Sequence, residues 1–381
     1  MKTHEKKREP LFHIVKRDGI QWWKSWLVRI AAVVLALLFS GVVSYLLTGQ
    51  NPIDIYKTMW DGAFGTARRT WNLLQALAML LCVSLAVTPA FKMRFWNIGA
   101  EGQALIGGFA AAAIMLKVGD KLPNGLLLVL MVVAAIVAGG IWALIPAIFK
   151  SKWGTNETLF TLMMNYIAIQ LVSYFVYIWA VPAGSGKIGI INGKTHSGWL
   201  PELGGADFKG KKYLLGILIV LALTLLMYVY LKYSKHGYEI SVVGESENTA
   251  RYIGINVNKV VIRTMIISGA LCGVAGFLLV SGADHSITPD TIGGRGFTAI
   301  MVSWLAKFNP ITMLLTSFVI AFLEKGATEI ATTMQLNHAF SDIITGIIIF
   351  FIIGSEFFIN YSIKFRESDK KHKKEAKEVE A

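Results

Sequence analysis

Ile30-Ala31-Ala32-Val33-Val34-Leu35-Ala36-Leu37-Leu38-Phe39-Ser40-Gly41-Val42-Val43-Ser44-Tyr45-Leu46-Leu47-Thr48 carries no charged side chain and follows directly on Arg29. At 1.5 Å of rise per residue, a helix of this length crosses most of the roughly 30 Å of hydrocarbon in a bilayer. Outward from it the pattern repeats. Thr70 to Phe91, Leu122 to Phe149, Thr158 to Gly186, Tyr213 to Leu231 and Thr264 to Ala283 are equally free of charge. Backbone amides in hydrocarbon must bond within the protein, and none of these stretches alternates at period two. They are therefore expected to be helices rather than barrel strands, and the fold class is all-α, a polytopic membrane protein.

Composition agrees. The 381 residues are 54% hydrophobic and 16% charged, a balance that a soluble domain would have to hide in an implausibly large core. The net charge of +13 raises nucleic acid as a partner, but the basic residues lie in the tails and between apolar stretches, with no aromatic-interleaved basic face. Topology explains them better. Lys2, Lys6, Lys7, Arg8, Lys16, Arg17, Lys24 and Arg29 precede the first span, which places the N-terminus in the cytoplasm by the positive-inside rule. Counting crossings from there puts Lys92 and Arg94, Lys150 and Lys152, and the loop with Lys232, Lys235, Arg251, Lys259 and Arg263 on the inside as well. The lysines of 182–212 dissent, and parity is given precedence over them. The n-region is too long for a signal peptide, and no small-residue cleavage site follows Thr48.

Three apolar stretches look too short for ordinary spans: Gly102 to Met115, Gly296 to Ala306 and Ile343 to Ser355. Broken or re-entrant helices, as transporters place around a substrate route, are one reading; imperfect spans padded by snorkelling side chains are the other. Together the stretches make about 8–10 transmembrane helices. The expected organisation is a cytoplasmic segment 1–28, a membrane domain 29–360 containing a cytoplasmic loop 233–262, and a charged cytoplasmic tail 361–381, solvated and partly disordered.

Three segments carry the candidate chemistry. Asn97, Glu101 and Gln103 place an acid and two carboxamides between apolar segments, where polar groups usually mark a cavity, a pathway or a paired site. Asn156 and Glu157 open the span that holds Asn165. Helix capping alone accounts for the first two, whereas Asn165 lies two turns inside and either bonds across helices or faces a substrate. The third segment, Gly244 to Ile255, reads as a short helix capped by Ser246 and stopped by Gly254; a solvated connector is the plainer alternative.

Other patterns carry less. Gly184-Ser185-Gly186-Lys187 imitates the end of a phosphate-binding loop, but Ile188 stands where Ser or Thr is needed. Gly269, Gly273 and Gly276 suggest a close helix-packing face. Cys82 and Cys272 lie in apolar spans, and His236, His285 and His338 lack ligand spacing, so neither a metal site nor a catalytic centre is expected.

Taken together, Asn97-Ile98-Gly99-Ala100-Glu101-Gly102-Gln103, Thr155-Asn156-Glu157-Thr158, Met164-Asn165-Tyr166, Gly244 to Ile255, and Gly296-Phe297-Thr298-Ala299-Ile300 with Asn309-Pro310 resemble the permeases of ABC importers for ribose, branched-chain amino acids and nucleosides. The nucleoside branch is the most similar, over roughly residues 70 to 355. Ser303, Trp304 and Lys307 depart from the family's usual apolar-small pattern. The resemblance implies a multi-pass subunit of the bacterial inner membrane with both termini cytoplasmic. It implies a substrate pathway involving Asn97, Glu101, Gln103, Asn156, Glu157 and Asn165, and a coupling helix with Gly244, Glu245, Asn248, Ala250, Arg251, Tyr252 and Gly254. The chain itself would bind no cofactor; ATP would sit on a separate ABC ATPase subunit. A second related permease and an extracellular substrate-binding lipoprotein are the other implied partners. On this reading Asn165→Leu should spare assembly, and a charge at Ala250 should block ATPase docking while sparing the fold. A ribose-type sugar importer is the alternative within the class. A secondary transporter, recruiting Glu101, Glu324, Lys325 or Asp342, is the alternative outside it, although no inverted repeat is visible.

Overall fold

The computed structural model describes residues 12–17, 20–180, 182, 185, 188–203 and 213–365. Most of the phosphate-loop-like run, the lysines at 209–212 and the tail beyond 365 lie outside them. The elements are β1 (Phe12–Lys16), α1 (Trp22–Thr48), α2 (Pro52–Phe64), α3 (Ala67–Lys92), α4 (Ala100–Val118), α5 (Asn124–Trp153), α6 (Glu157–Trp179), α7 (Leu214–Tyr233), α8 (Lys235–Glu245), α9 (Glu247–Tyr252), α10 (Val257–Leu279), α11 (Arg295–Leu305), α12 (Pro310–Thr333), α13 (His338–Asn360) and β2 (Tyr361–Phe365). Among the described residues nine helices are long and apolar enough to cross a membrane: α1, α3 to α7, α10, α12 and α13. The chain is an all-α polytopic membrane protein.

Two of the three stretches expected to be short are full-length. Helix α4 continues through Glu101 and Gln103 to Val118, and α13 continues through Asp342 and Glu356 to Asn360. Charge-free runs understate a helix that runs on through charged residues, whether bonded within the chain, as Glu101 and Glu356 are, or exposed near the helix start, as Asp342 is. The third stretch stays short: α11 has 11 residues, about 16 Å of helix, half of what hydrocarbon requires. The short helix expected within 244–255 is α9, capped by Ser246 and followed by Gly254 at φ 86°; a separate helix, α8, precedes it and ends at Glu245.

The chain forms two compact units, one of the stretches up to Thr58 and from Ile330, the other Met59–Glu329. In the first, α1 packs on α13, and Arg29 Nη2 lies 2.6 Å from Glu356 Oε1. Beyond them β1 pairs antiparallel with β2, from Phe12 opposite Phe365 to Lys16 opposite Tyr361. This pair departs from the all-helical expectation at residues 12–16 and 361–365. Both strands hold short runs of β-branched and aromatic residues outside the apolar spans. It brings the two ends of the described chain side by side.

In the second unit α3 is the axis. After a polar first stretch it is predominantly apolar and buried on all sides from Ala76 to Phe91, as such a helix must be. Helices α4, α5 and α10 pack together beside it. Their contact is backbone to backbone, as the small residues of α10 suggested. A Cβ on Gly273 would lie 2.0 Å from the Ala135 carbonyl oxygen, and one on Gly276 2.1 Å from that of Ala104. Helices α5 and α7 leave most of their apolar surface turned outward, as lipid-facing helices do.

Candidate functional site

Helix α3 ends at Lys92, and the chain unwinds over 93–99 before α4 begins at Ala100, with Arg94 in the left-handed region (φ 61°). The unwound segment is tied to α6. The Ile98 N–H donates to Thr161 Oγ1 (3.1 Å). Asn165 Nδ2 donates to the Ile98 carbonyl (2.9 Å), while Asn165 Oδ1 accepts from the Gly102 N–H (2.8 Å). Asn165 is about 12 Å along α6 from its start, two turns inside a helix long and apolar enough to cross a membrane.

Within the break, Asn97 and Gln103 bond reciprocally, Nδ2 to Oε1 at 3.2 Å and Nε2 to Oδ1 at 3.0 Å. Asn97 Nδ2 also donates to Ser268 Oγ on α10 (3.2 Å). Glu101 reaches the start of α11: Oε1 accepts from the Gly294 N–H (2.8 Å) and Oε2 from the Gly296 N–H (2.7 Å). The first amides of a helix have no partners of their own, and a carboxylate both satisfies them and complements the helix dipole. Gly294, at φ 75°, makes the turn that presents them. Thr88 and Ser303 hydroxyls, 2.9 Å apart, tie α11 to α3.

Asn97, Glu101, Gln103 and Asn165 are thus brought into one buried polar knot, each bonded within the chain. Asn156 and Glu157 are not part of it. Asn156 caps α6 by accepting from the Leu159 N–H (3.1 Å), and Glu157 pairs with Lys150 at 2.7 Å. Asn165→Leu would leave the Gly102 N–H and the Ile98 carbonyl buried without partners, at roughly 1–3 kcal/mol each. The variant is expected to melt several degrees lower and to be less abundant in the membrane, contrary to the expectation drawn from sequence. Wild-type thermal stability of purified Asn165→Leu would refute the clamp.

Sequence reasoning missed an aromatic cluster next to the knot. Trp96 in the break stacks on Trp304 of α11, centroids 5.7 Å apart and planes at 27°. Phe91 meets both edge-on at 5.8 and 6.4 Å, and Phe308 meets Trp304 at 5.1 Å. The two indoles are 46% and 47% exposed. Proximity in sequence gave no hint, because the partners come from segments some two hundred residues apart.

The loop 233–262 is built by caps. Ser234 accepts from the Gly237 N–H (3.0 Å), Ser246 from the Thr249 N–H (3.2 Å), and Gly254 ends the segment at φ 86°. Arg263 of α10 holds α8 through Glu239 at 2.8 Å. Glu245, Asn248, Arg251 and Gly254 are exposed, and Tyr252 is 91% exposed beside the half-exposed Ile253. Gly244 and Ala250 point inward. Ala250 is 0% exposed, so a charge there would break this chain's own packing first, which corrects its choice as a fold-sparing probe of docking. Gly244 is pressed against the end of α3: a Cβ would lie 2.1 Å from the Lys92 carbonyl oxygen.

Nine apolar helices among the described residues, with a break in the backbone between α3 and α4 surrounded by buried polar groups, define a polytopic membrane protein. The chain belongs to the family described as branched-chain amino acid transport system, permease component, whose model matches residues 69–353. It is 30% identical to the glucose ABC transporter permease protein TsgB13 of Haloferax volcanii, over 91% of this chain and 92% of that one. It is 29% identical to the guanosine ABC transporter permease protein NupP of Bacillus subtilis (89% and 94% covered). The nucleoside ABC transporter permease protein NupB of Lactococcus lactis follows at 27% (86% and 90% covered). The chain is accordingly an ABC transporter permease, a transport component of the cell membrane.

Proposed function

We propose that this permease carries nucleosides inward, driven by ATP hydrolysis on a separate subunit. The observation that carries the substrate is the similarity, end to end, to guanosine and nucleoside permease proteins. The similarity to a glucose permease protein favours a second reading, import of a simple sugar. In either case this chain contributes the pathway wall. The ATPase docks on the exposed side of α8 and α9 at Glu245, Asn248, Arg251, Tyr252 and Gly254, with Gly244 and Ala250 holding that surface from behind. A second related permease completes the pathway, and an extracellular binding lipoprotein delivers the substrate. The basic residues of the loop 233–262 and of the two tails support a cytoplasmic side for both by the positive-inside rule.

Its physical content is a closed polar knot around the unwound segment 93–99. Asn97, Glu101, Gln103 and Asn165 hold the break and α11 in register, so they shape the route; Asn156 and Glu157 fix the entry of α6. Rocking of the docked ATPase would reach the break through the contact of Gly244 with Lys92. The substrate is tested by uptake of guanosine, adenosine, cytidine, ribose and glucose into proteoliposomes holding the assembled complex with its binding protein. ATP-dependent accumulation of the nucleosides is expected. Accumulation of glucose or ribose with none of any nucleoside would replace this reading by the sugar one.

A further inference from the structure

Resting on the nucleoside reading, we infer that Trp96 and Trp304 form a stacking station for the flat heteroaromatic base at the inner end of the pathway. Trp96 belongs to the unwound segment 93–99, and Trp304 to a helix too short to cross the membrane. Trp96 is next in sequence to the buried Asn97, and both indoles keep nearly half of their surface open. Their planes are already nearly parallel, and Phe91 and Phe308 brace them edge-on. The Thr88–Ser303 hydroxyl contact, next to Trp304 in sequence, fixes α11 against α3. Two rigid, partly open indole faces are what a nucleobase stacks on, and what a sugar alone cannot use as fully.

The position is informative as well. Phe91 precedes Lys92, whose carbonyl is in contact with Gly244 of the loop assigned to ATPase docking. A base resting on this pair lies where movement of that loop is felt first, at the point of release to the cytoplasm.

The test uses the assembled transporter in proteoliposomes with guanosine as the probe, comparing Trp304→Ala, Trp304→Phe, Trp96→Ala and Trp96→Phe. Loss of base stacking is expected to slow guanosine uptake roughly tenfold in each Ala variant. The Phe variants should keep most of the rate, and all four should co-purify the second permease and the ATPase as the wild type does. Guanosine uptake at the wild-type rate in both Ala variants overturns the stacking station and leaves the nucleoside reading standing. An Ala variant that loses the second permease shows the pair to be a subunit contact instead and also overturns it. A wild-type complex that imports sugars and no nucleoside overturns the nucleoside reading first, a result visible before any variant is made.

Discussion

Glu101→Ala is expected to abolish uptake and to lower the stability of the permease by about 3 kcal/mol. The carboxylate makes two charge-assisted bonds to the amides that open α11, each worth about 1.5 kcal/mol or more, and Ala leaves both amides without this acceptor, that of Gly296 buried and that of Gly294 half-buried. Glu101→Gln keeps one acceptor oxygen and should lose about half as much. The effect should be local: α11 is 11 residues long, is held at its start by Glu101 and farther along by the Ser303–Thr88 contact, and cannot bridge the membrane by itself. Thermal melting of the detergent-solubilised complex, with uptake measured in parallel, checks both claims. Wild-type melting in Glu101→Ala would mean that the amides of Gly294 and Gly296 find other partners, and the proposed brace would be wrong.

Tyr252→Asp should give the opposite pattern, an intact permease that no longer holds its ATPase. At 91% exposure the ring makes almost no contact within its own chain, so abundance and melting should stay at wild-type levels. Aromatic anchors at interface centres commonly contribute about 2 kcal/mol or more, roughly a thirtyfold change in affinity, and a carboxylate in the same pocket adds an unpaired charge. Co-purification of the ATPase and substrate-stimulated hydrolysis should both be lost. Retention of the ATPase by stably expressed Tyr252→Asp would remove this loop from the docking surface. Ala250→Glu is the useful contrast, because it should fail by misfolding.

Much of the fold could be read in advance because lipid leaves so few options. Charge-free stretches such as Ile30–Thr48 have to be helices, and the glycines of α10 had to be a contact face. The lengths of α4 and α13 were misjudged for one reason. A charged residue interrupts a hydropathy pattern without interrupting a helix, when its bonds are made elsewhere in the chain, as for Glu101 and Glu356, or when it stays exposed in the first turns, as Asp342 does. The residues of the knot were recognisable by type, since carboxamides and an acid among apolar segments demand partners. Their partners were not recognisable. Asn165 bonds main-chain groups of 98 and 102, and Glu101 those of 294 and 296, and backbone acceptors and donors look alike at every position of a sequence. The inward turn of Ala250 was likewise hidden. Six residues of helix carry too little pattern to say which side faces the protein.

The contact of α10 with α4 and α5 sets what can move. Where Gly273 and Gly276 meet the carbonyls of Ala135 and Ala104, no side chains lie between the helices to act as rollers, and any sliding drives main chain into main chain. These three helices therefore behave as a stator. Gly296 of α11 meets the main chain of Glu101 in the same way, so the compliance that an alternating pathway needs is left to the unwound segment 93–99, held to α6 and α10 by hydrogen bonds, and a cross-link joining that segment to α6 should arrest the machine in a single state.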